Sequence, residues 1–288
     1  MSGISRKQFD ATFSNAAIDL EDPDLRTALA GASLDPGKLD ALDGKSDGRV
    51  SGSQAIDDLY DEIDRLDRQT SGLASKDERG LWGALRGAAV APRPISADQG
   101  ARLASAARRM VAEDEPKPGQ LSPWARDGQA KCRNPELSSP SYAGRQAWKC
   151  NVFAGESFNR AGLPFPLNEQ SHYATANTLP AQSKFFQPVA KLDDVRPGDL
   201  LSIQRPAPQS GHVEIVTGVQ RDDTGRVVSI KSAGAHEDGS HEGDQTAAPL
   251  VAAAASDVRA ANAMIGGDTF RLLRPMAPPT RAANGAVQ

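Results

Sequence analysis

Cysteine is almost missing from this chain: Cys132 and Cys150 are its whole supply across 288 residues. Two thiols cannot build the framework of bridges that holds small secreted domains together. Stability must then come from an apolar core, and a hydrophobic content of 39% is enough for one. One disulfide, one nucleophilic thiol with a bystander, or two buried thiols all remain open. Aromatics are scarce at 5%, while glycines number 26 and prolines 20. That balance implies a loop-rich protein with modest helices and short strands. No block of Lys and Arg stands out and the formal net charge is −4, so nucleic acid is not an expected partner. No apolar run approaches the roughly 20 residues of a membrane helix, so no membrane span is expected. The opening MSGISRKQFD lacks the apolar stretch of a secretory signal, which predicts synthesis in the cytoplasm as a soluble product.

What is present falls into two textures. The excess of acid lies before residue 125, and residues 1–113 read as helices. In Gln54–Arg68, Ile56, Leu59, Tyr60, Ile63 and Leu66 form a stripe with helical spacing. Lys76–Arg86 and Ser96–Val111 read the same way, the latter with Ser96 as N-cap. Residues 114–124, rich in proline and charge, read as a linker, which predicts a helical N-terminal domain over 1–113 and a second domain over 125–275. In the second, Cys150, Phe153, Ala154, Ser157, Phe158 and Ala161 share one helical face, and Gly162 and Pro164 end it. Strand-like runs follow at Leu200–Gln204, His212–Val219, Arg226–Ser232 and Thr269–Leu273, with a hairpin turn at Asp222–Gly225. A helix followed by antiparallel strands predicts an α+β fold. The Pro/Ala-rich tail from Met276 reads as disordered.

Two residues carry the chemistry. A thiol is a nucleophile only as thiolate, and a helix N-terminus or a neighbouring imidazole favours that form. Cys150 opens its helix, although a buried structural cysteine fits the same position. His212 begins a strand-like run, SGHVEIVTG, and a histidine there can serve as the base of a Cys–His pair or be a surface residue at a strand end. The series CNVFAGESFNRAGLPFP, then RPGDLLSI, then GHVEIVTG resembles the NlpC-like and CHAP peptidoglycan hydrolases. The resemblance covers about residues 125–275. It implies a papain-like domain in which Cys150 attacks an amide carbonyl and His212 handles the proton. It implies no cofactor. The KCN-x-F start and the missing signal peptide also resemble interbacterial amidase effectors delivered by secretion machines. That likeness implies stem peptides as substrate, a cognate immunity protein, a secretion-machine component met through the N-terminal domain, and delivery to a target-cell periplasm. A phage-type endolysin and a Cys–His deamidase or acyltransferase use the same residues.

The family places a third polar residue on or after the strand that follows the histidine. His236 is the choice here, because an imidazole accepts the base's N–H; Ser232 is close behind. Glu214, on the same strand face as His212, is a further candidate. Asn151 holds the first helical turn, touches substrate or is solvated. Cys132, in a polar loop-like stretch, is a competing thiol. The run HEDGSHEGD holds His236, His241, Glu242 and Asp244, but its spacing matches no standard zinc site, and no metal is expected. Asp43–Gln54 resembles an EF-hand loop: Asp43, Asp47, Gly48 and Val50 fit positions one, five, six and eight. Lys45 and Gln54 replace oxygen ligands at three and twelve, so a degenerate or structural turn is expected, and a calcium-responsive binding module is the remaining non-enzymatic reading.

Overall fold

The computed structural model describes residues 6–13, 15–44, 47–51, 53–69, 75–113, 123–128, 149–168, 172–207, 209–236, 239–254 and 260–278. The chain divides into two compact units, Met1–Arg93 with Ala277–Gln288, and Pro94–Met276. The fold is α+β, with helices and antiparallel sheets in both.

The first unit runs α1 (Arg6–Phe13), β1 (Ala17–Asp19), α2 (Pro23–Gly31), α3 (Pro36–Asp40), β2 (Arg49–Ser51), α4 (Ser53–Gln69), α5 (Ser75–Gly87) and β3 (Ala89–Val90). Sequence patterning predicts helices only here, yet three short strands pair in the order β2-β1-β3. At two or three residues each, they are too short for a period-two signal to register. The helices begin as propensity dictates: Pro23 opens α2, and Asp22 caps it by accepting from the amides of Asp24 and Leu25. Phe9, Phe13, Leu29, Leu59 and Trp82 lie in one buried core. In the calcium-loop-like segment, Val50 pairs with Ile18 across β1 and β2. The loop acids are spent on backbone. Asp43 Oδ2 accepts from the Ser51 amide at 3.1 Å and hydroxyl at 3.0 Å, and Asp40 Oδ1 accepts from the Gly48 amide at 2.8 Å. Lys45 and the side chain of Gln54 lie outside what is described.

The two-residue β4 (Arg93–Pro94) falls at the division. The second unit then runs α6 (Ala97–Glu113), α7 (Pro123–Asp127), α8 (Cys150–Ala161), β5 (Phe186–Pro188), β6 (Leu200–Gln204), β7 (His212–Arg221), β8 (Val227–Ala235), β9 (Ser240–Gly243), α9 (Ala248–Ala253), β10 (Asn262–Ile265) and β11 (Asp268–Ala277). The sheet order is β10-β11-β6-β7-β8-β9, antiparallel throughout. The β11 strand continues through Ala277, past the Met276 at which the sequence suggests a tail; residues 279–288 lie outside the description.

Sequence texture assigns the Ala97–Glu113 helix to the N-terminal domain, but it belongs to the second unit. The physical reason is its apolar face. Leu103, Ala104, Ala107 and Met110 are buried, and the Ser157 hydroxyl of α8 lies 3.3 Å from Met110 Sδ. Ser96 does cap it: its hydroxyl accepts from the Gln99 amide at 3.2 Å, and Gln99 Oε1 accepts from the Ser96 amide at 2.8 Å, a reciprocal capping box. Near its start, Gly100 meets the Pro-Gly-Asp turn at backbone contact. A Cβ at Gly100 would lie 2.5 Å from the Pro197 carbonyl oxygen, and Gly198, at φ +91°, faces the Gly100 backbone. Asp199 in that turn is fully buried, and its two oxygens accept from Arg274 at 3.0 Å each. The turn thereby fixes the entry to β6, which pairs with β7 and sets the position of His212 through the register Ile203↔His212. Residues 114–122 of the expected linker are not described.

Candidate functional site

Cys150 is the first residue of α8, and its helix is seated by the face the sequence predicts. Phe153, Ala154 and Phe158 are fully buried. Trp124 packs edge-on against Phe153 with ring centroids 5.3 Å apart, and Phe158 meets Phe165 at 5.0 Å. The helix ends at Gly162, which takes the left-handed conformation at φ 69°. Its start carries no side-chain cap from Lys149, so the first-turn amides keep their positive end toward Cys150. Asn151 does not cap the turn. Its amide donates to the Tyr173 carbonyl at 3.2 Å and ties down the following loop. That loop is anchored again where the Tyr173 hydroxyl donates to buried Glu156 at 2.6 Å.

The structure brings Cys150 and His212 together across the helix–strand junction. Both are almost fully buried, and the thiol lies 4.0 Å from the carbonyl oxygen of Gly211. His212 Nε2 is 2.9 Å from Glu214 Oε1, two residues along the same strand face. Its other ring nitrogen, Nδ1, is buried with no hydrogen-bond partner among the described residues. The imidazole is pushed up to about 9. Burial alone would lower it, but the neighbouring Cys150 and Glu214 outweigh that cost by stabilising the imidazolium. Thiol and imidazole are thus electrostatically coupled although no ideal hydrogen bond joins them.

Glu214 is the hub. Its Oε1 meets His212 Nε2 at 2.9 Å and His236 Nε2 at 2.8 Å, and accepts from the Thr246 hydroxyl at 2.8 Å; its Oε2 accepts from the Ser232 hydroxyl. Burial opposes the ionised carboxylate, but the hydrogen bonds from both histidines and Ser232 prevail and hold its pKa well below the usual range. The side chain fits because residue 234 is glycine: a Cβ there would sit 2.6 Å from Glu214 Cγ.

This corrects the choice of third residue. His236 does not accept from His212; Glu214 does, and His236 is one step further out, with its ring 4.8 Å from that of His212. The reason is strand geometry, since residues 212 and 214 share a face while His236 lies just beyond the end of β8. Ser232 also reaches Glu214 rather than His212. Sequence reasoning missed Thr246 and Gly234. The glycine opposite Glu214 was a usable signal; Thr246 had none, because its contact is long-range.

The acidic histidine run is split by the fold. His236 turns to Glu214, whereas Glu242 accepts from Arg108 of α6 at 2.9 Å. A cleft of about 300 Å³ reaches Glu214, Ser232 and His236 and is lined further by His241, Gln245 and Thr246. Cys132 lies outside the described residues. Among the described residues, no helix is long and apolar enough to cross a membrane. Comparison with protein-family models, curated proteins and solved structures finds no match to this chain.

Proposed function

We propose that the chain is a cysteine hydrolase of papain-like design that cuts amide bonds in peptidoglycan stem peptides. The observation that carries this reading is the alignment of Cys150, His212 and Glu214. Glu214 occupies Nε2 of His212, which leaves Nδ1 to the thiol at a helix N-terminus. A buried structural cysteine needs no such neighbour. An imidazole raised to about 9 carries its proton at neutral pH and stands beside the thiol, where it can hand that proton on.

In this mechanism the Cys150 thiolate attacks the amide carbonyl carbon. The oxyanion is met by the Cys150 backbone N–H at the uncapped helix end. The His212 imidazolium gives its proton to the leaving amine, and the thioester forms. Water, deprotonated by the neutral imidazole, then releases the acid and restores the thiol. Glu214 holds the ring and stabilises its charge. Cell-wall substrate rests on the likeness to NlpC-like and CHAP enzymes. Delivery as an antibacterial effector, with an immunity protein in the producing cell and a secretion-machine partner, rests on the likeness to interbacterial amidases.

The test is incubation of the full chain with purified peptidoglycan and mass analysis of the fragments. Cleaved stem peptides are expected with wild type. Cys150→Ala and His212→Ala should each lower the rate by about three orders of magnitude or more, and the double variant should be no worse, because the pair acts as one unit. Iodoacetamide at neutral pH should label Cys150 ahead of Cys132. Intact peptidoglycan, or cleavage surviving Cys150→Ala, overturns the proposal.

A further inference from the structure

We propose that His212, Glu214 and His236 form a binding site for a transition-metal dication of the zinc type, and that the ion switches the Cys–His pair off. The ligand atoms are already gathered: one ring nitrogen from each histidine and a Glu214 carboxylate oxygen all lie within 4.8 Å of one another, and both Nε2 atoms lie within 2.9 Å of Glu214 Oε1. Two imidazoles and one carboxylate form the donor set that zinc takes when a fourth position stays open. Zinc bonds of about 2.0–2.1 Å place neighbouring ligands roughly 3.3 Å apart. The present 2.9 and 2.8 Å separations therefore need to widen by about half an ångström, and the two ring nitrogens, up to 4.8 Å apart, to close by about 1.5 Å, shifts that side-chain rotation supplies.

Two further features fit an ion. The Ser232 and Thr246 hydroxyls hold the carboxylate from outside, the support that orients a metal ligand. The cleft that reaches Glu214 and His236 supplies an entry path from solvent and room for a water on the fourth position. Glu214 Oε1 also gathers three polar neighbours on one oxygen, two of which an ion replaces as a single partner. The linear sequence hides the site, because its ligands come from β7 and from the turn after β8.

The inhibitory half rests on the Cys150–His212 reading; the binding half does not. A metal on Nε2 displaces any Nε2 proton to solvent and leaves the neutral ring with its one proton on Nδ1. Nδ1 is the nitrogen left for the thiol. A metallated ring cannot take the thiol proton as well, so the ion removes the group that the proposed mechanism uses to move that proton.

The full chain, stripped with chelator and dialysed, is titrated with Co²⁺ by absorption and with Zn²⁺ in competition with a chromophoric chelator. One equivalent per chain is expected. The cobalt spectrum should carry d–d bands without a thiolate-to-metal band, since the metal takes Nε2 and the proposed thiol contact is with Nδ1. Cys150→Ala should bind as wild type. His236→Gln, which keeps a polar group at a half-exposed position, should weaken binding by more than the roughly 10–100-fold cost of an outer-shell loss. Zinc should slow iodoacetamide labelling of Cys150 at least about tenfold in wild type, and excess chelator should restore it. No stoichiometric binding, a thiolate band, or unchanged affinity in His236→Gln overturns the site. Binding without slower labelling overturns the inhibition. Binding with slowed labelling, but no peptidoglycan cleavage by the metal-free protein, leaves the site standing and refutes the proposed hydrolase.

Discussion

Glu214 is the residue on which the site turns, because one buried carboxylate orients the His212 imidazole and is itself held by Ser232, Thr246 and His236. Glu214→Gln keeps a polar partner for Nε2 but removes the charge that supports the imidazolium. The expected loss in kcat is about 10²–10⁴-fold, with KM little changed, read from initial rates on a stem peptide. The same coupling makes stability depend on pH. His212 is raised from 6.5 to about 9, so its contribution is fully present below 6.5 and is lost as pH rises through 9. Glu214 is depressed, so its contribution is present above the ordinary carboxylate value of 4.5 and is lost as pH falls below it. Chelator-treated wild type and His212→Ala, unfolded in urea at several pH values, should differ most between those limits. Their midpoints should converge above pH 9.

At the scale of elements, the seating of α6 against the Pro197–Gly198–Asp199 turn fixes β6, the strand that pairs with the one bearing His212. Gly100→Ala forces a Cβ to within 2.5 Å of a backbone oxygen that no side-chain rotation can move. The expected cost is about 1–3 kcal/mol, the range of an overpacked contact, against the roughly 1 kcal/mol that alanine gains over glycine in a free helix. Thermal unfolding checks it, with Gly80→Ala in α5 as the control, since nothing lies within 4 Å of that position. The calcium-like loop belongs to this scale too. Asp40 and Asp43 are engaged with backbone amides and the Ser51 hydroxyl, doing the ordering that an ion does in a working loop. Calorimetry should find no micromolar calcium site; one that Asp43→Ala abolished would show those contacts give way to the ion.

For the molecule as a whole, the proposed activity predicts where the chain does harm. Made in the bacterial cytosol, it should leave growth unchanged, since enzyme and wall are separated by the membrane. Fused to a periplasmic signal peptide, it should cause rounding or lysis, and Cys150→Ala should abolish the effect. Growth curves of the four strains decide this. A deamidase or acyltransferase of cytosolic proteins gives the reverse, Cys150-dependent harm inside and none outside.

The helix that presents Cys150 was legible from sequence, with its boundaries, its buried face and its glycine stop, because those signals lie within a few residues of one another. So were the cap at Ser96, the strand that begins at His212 and the α+β class. Three things were decided only by tertiary packing. The α6 helix carries an apolar face that any core will accept, and contact with α8 settled which one. The choice of Glu214 over His236 came from distances of a few ångströms across two strands, where His236 offered the more familiar chemistry but stands one contact further out. Convergence of two histidines on one oxygen joins residues 24 positions apart in sequence. Local pattern reports what each segment prefers; the register between β7 and β8 determines which side chains meet.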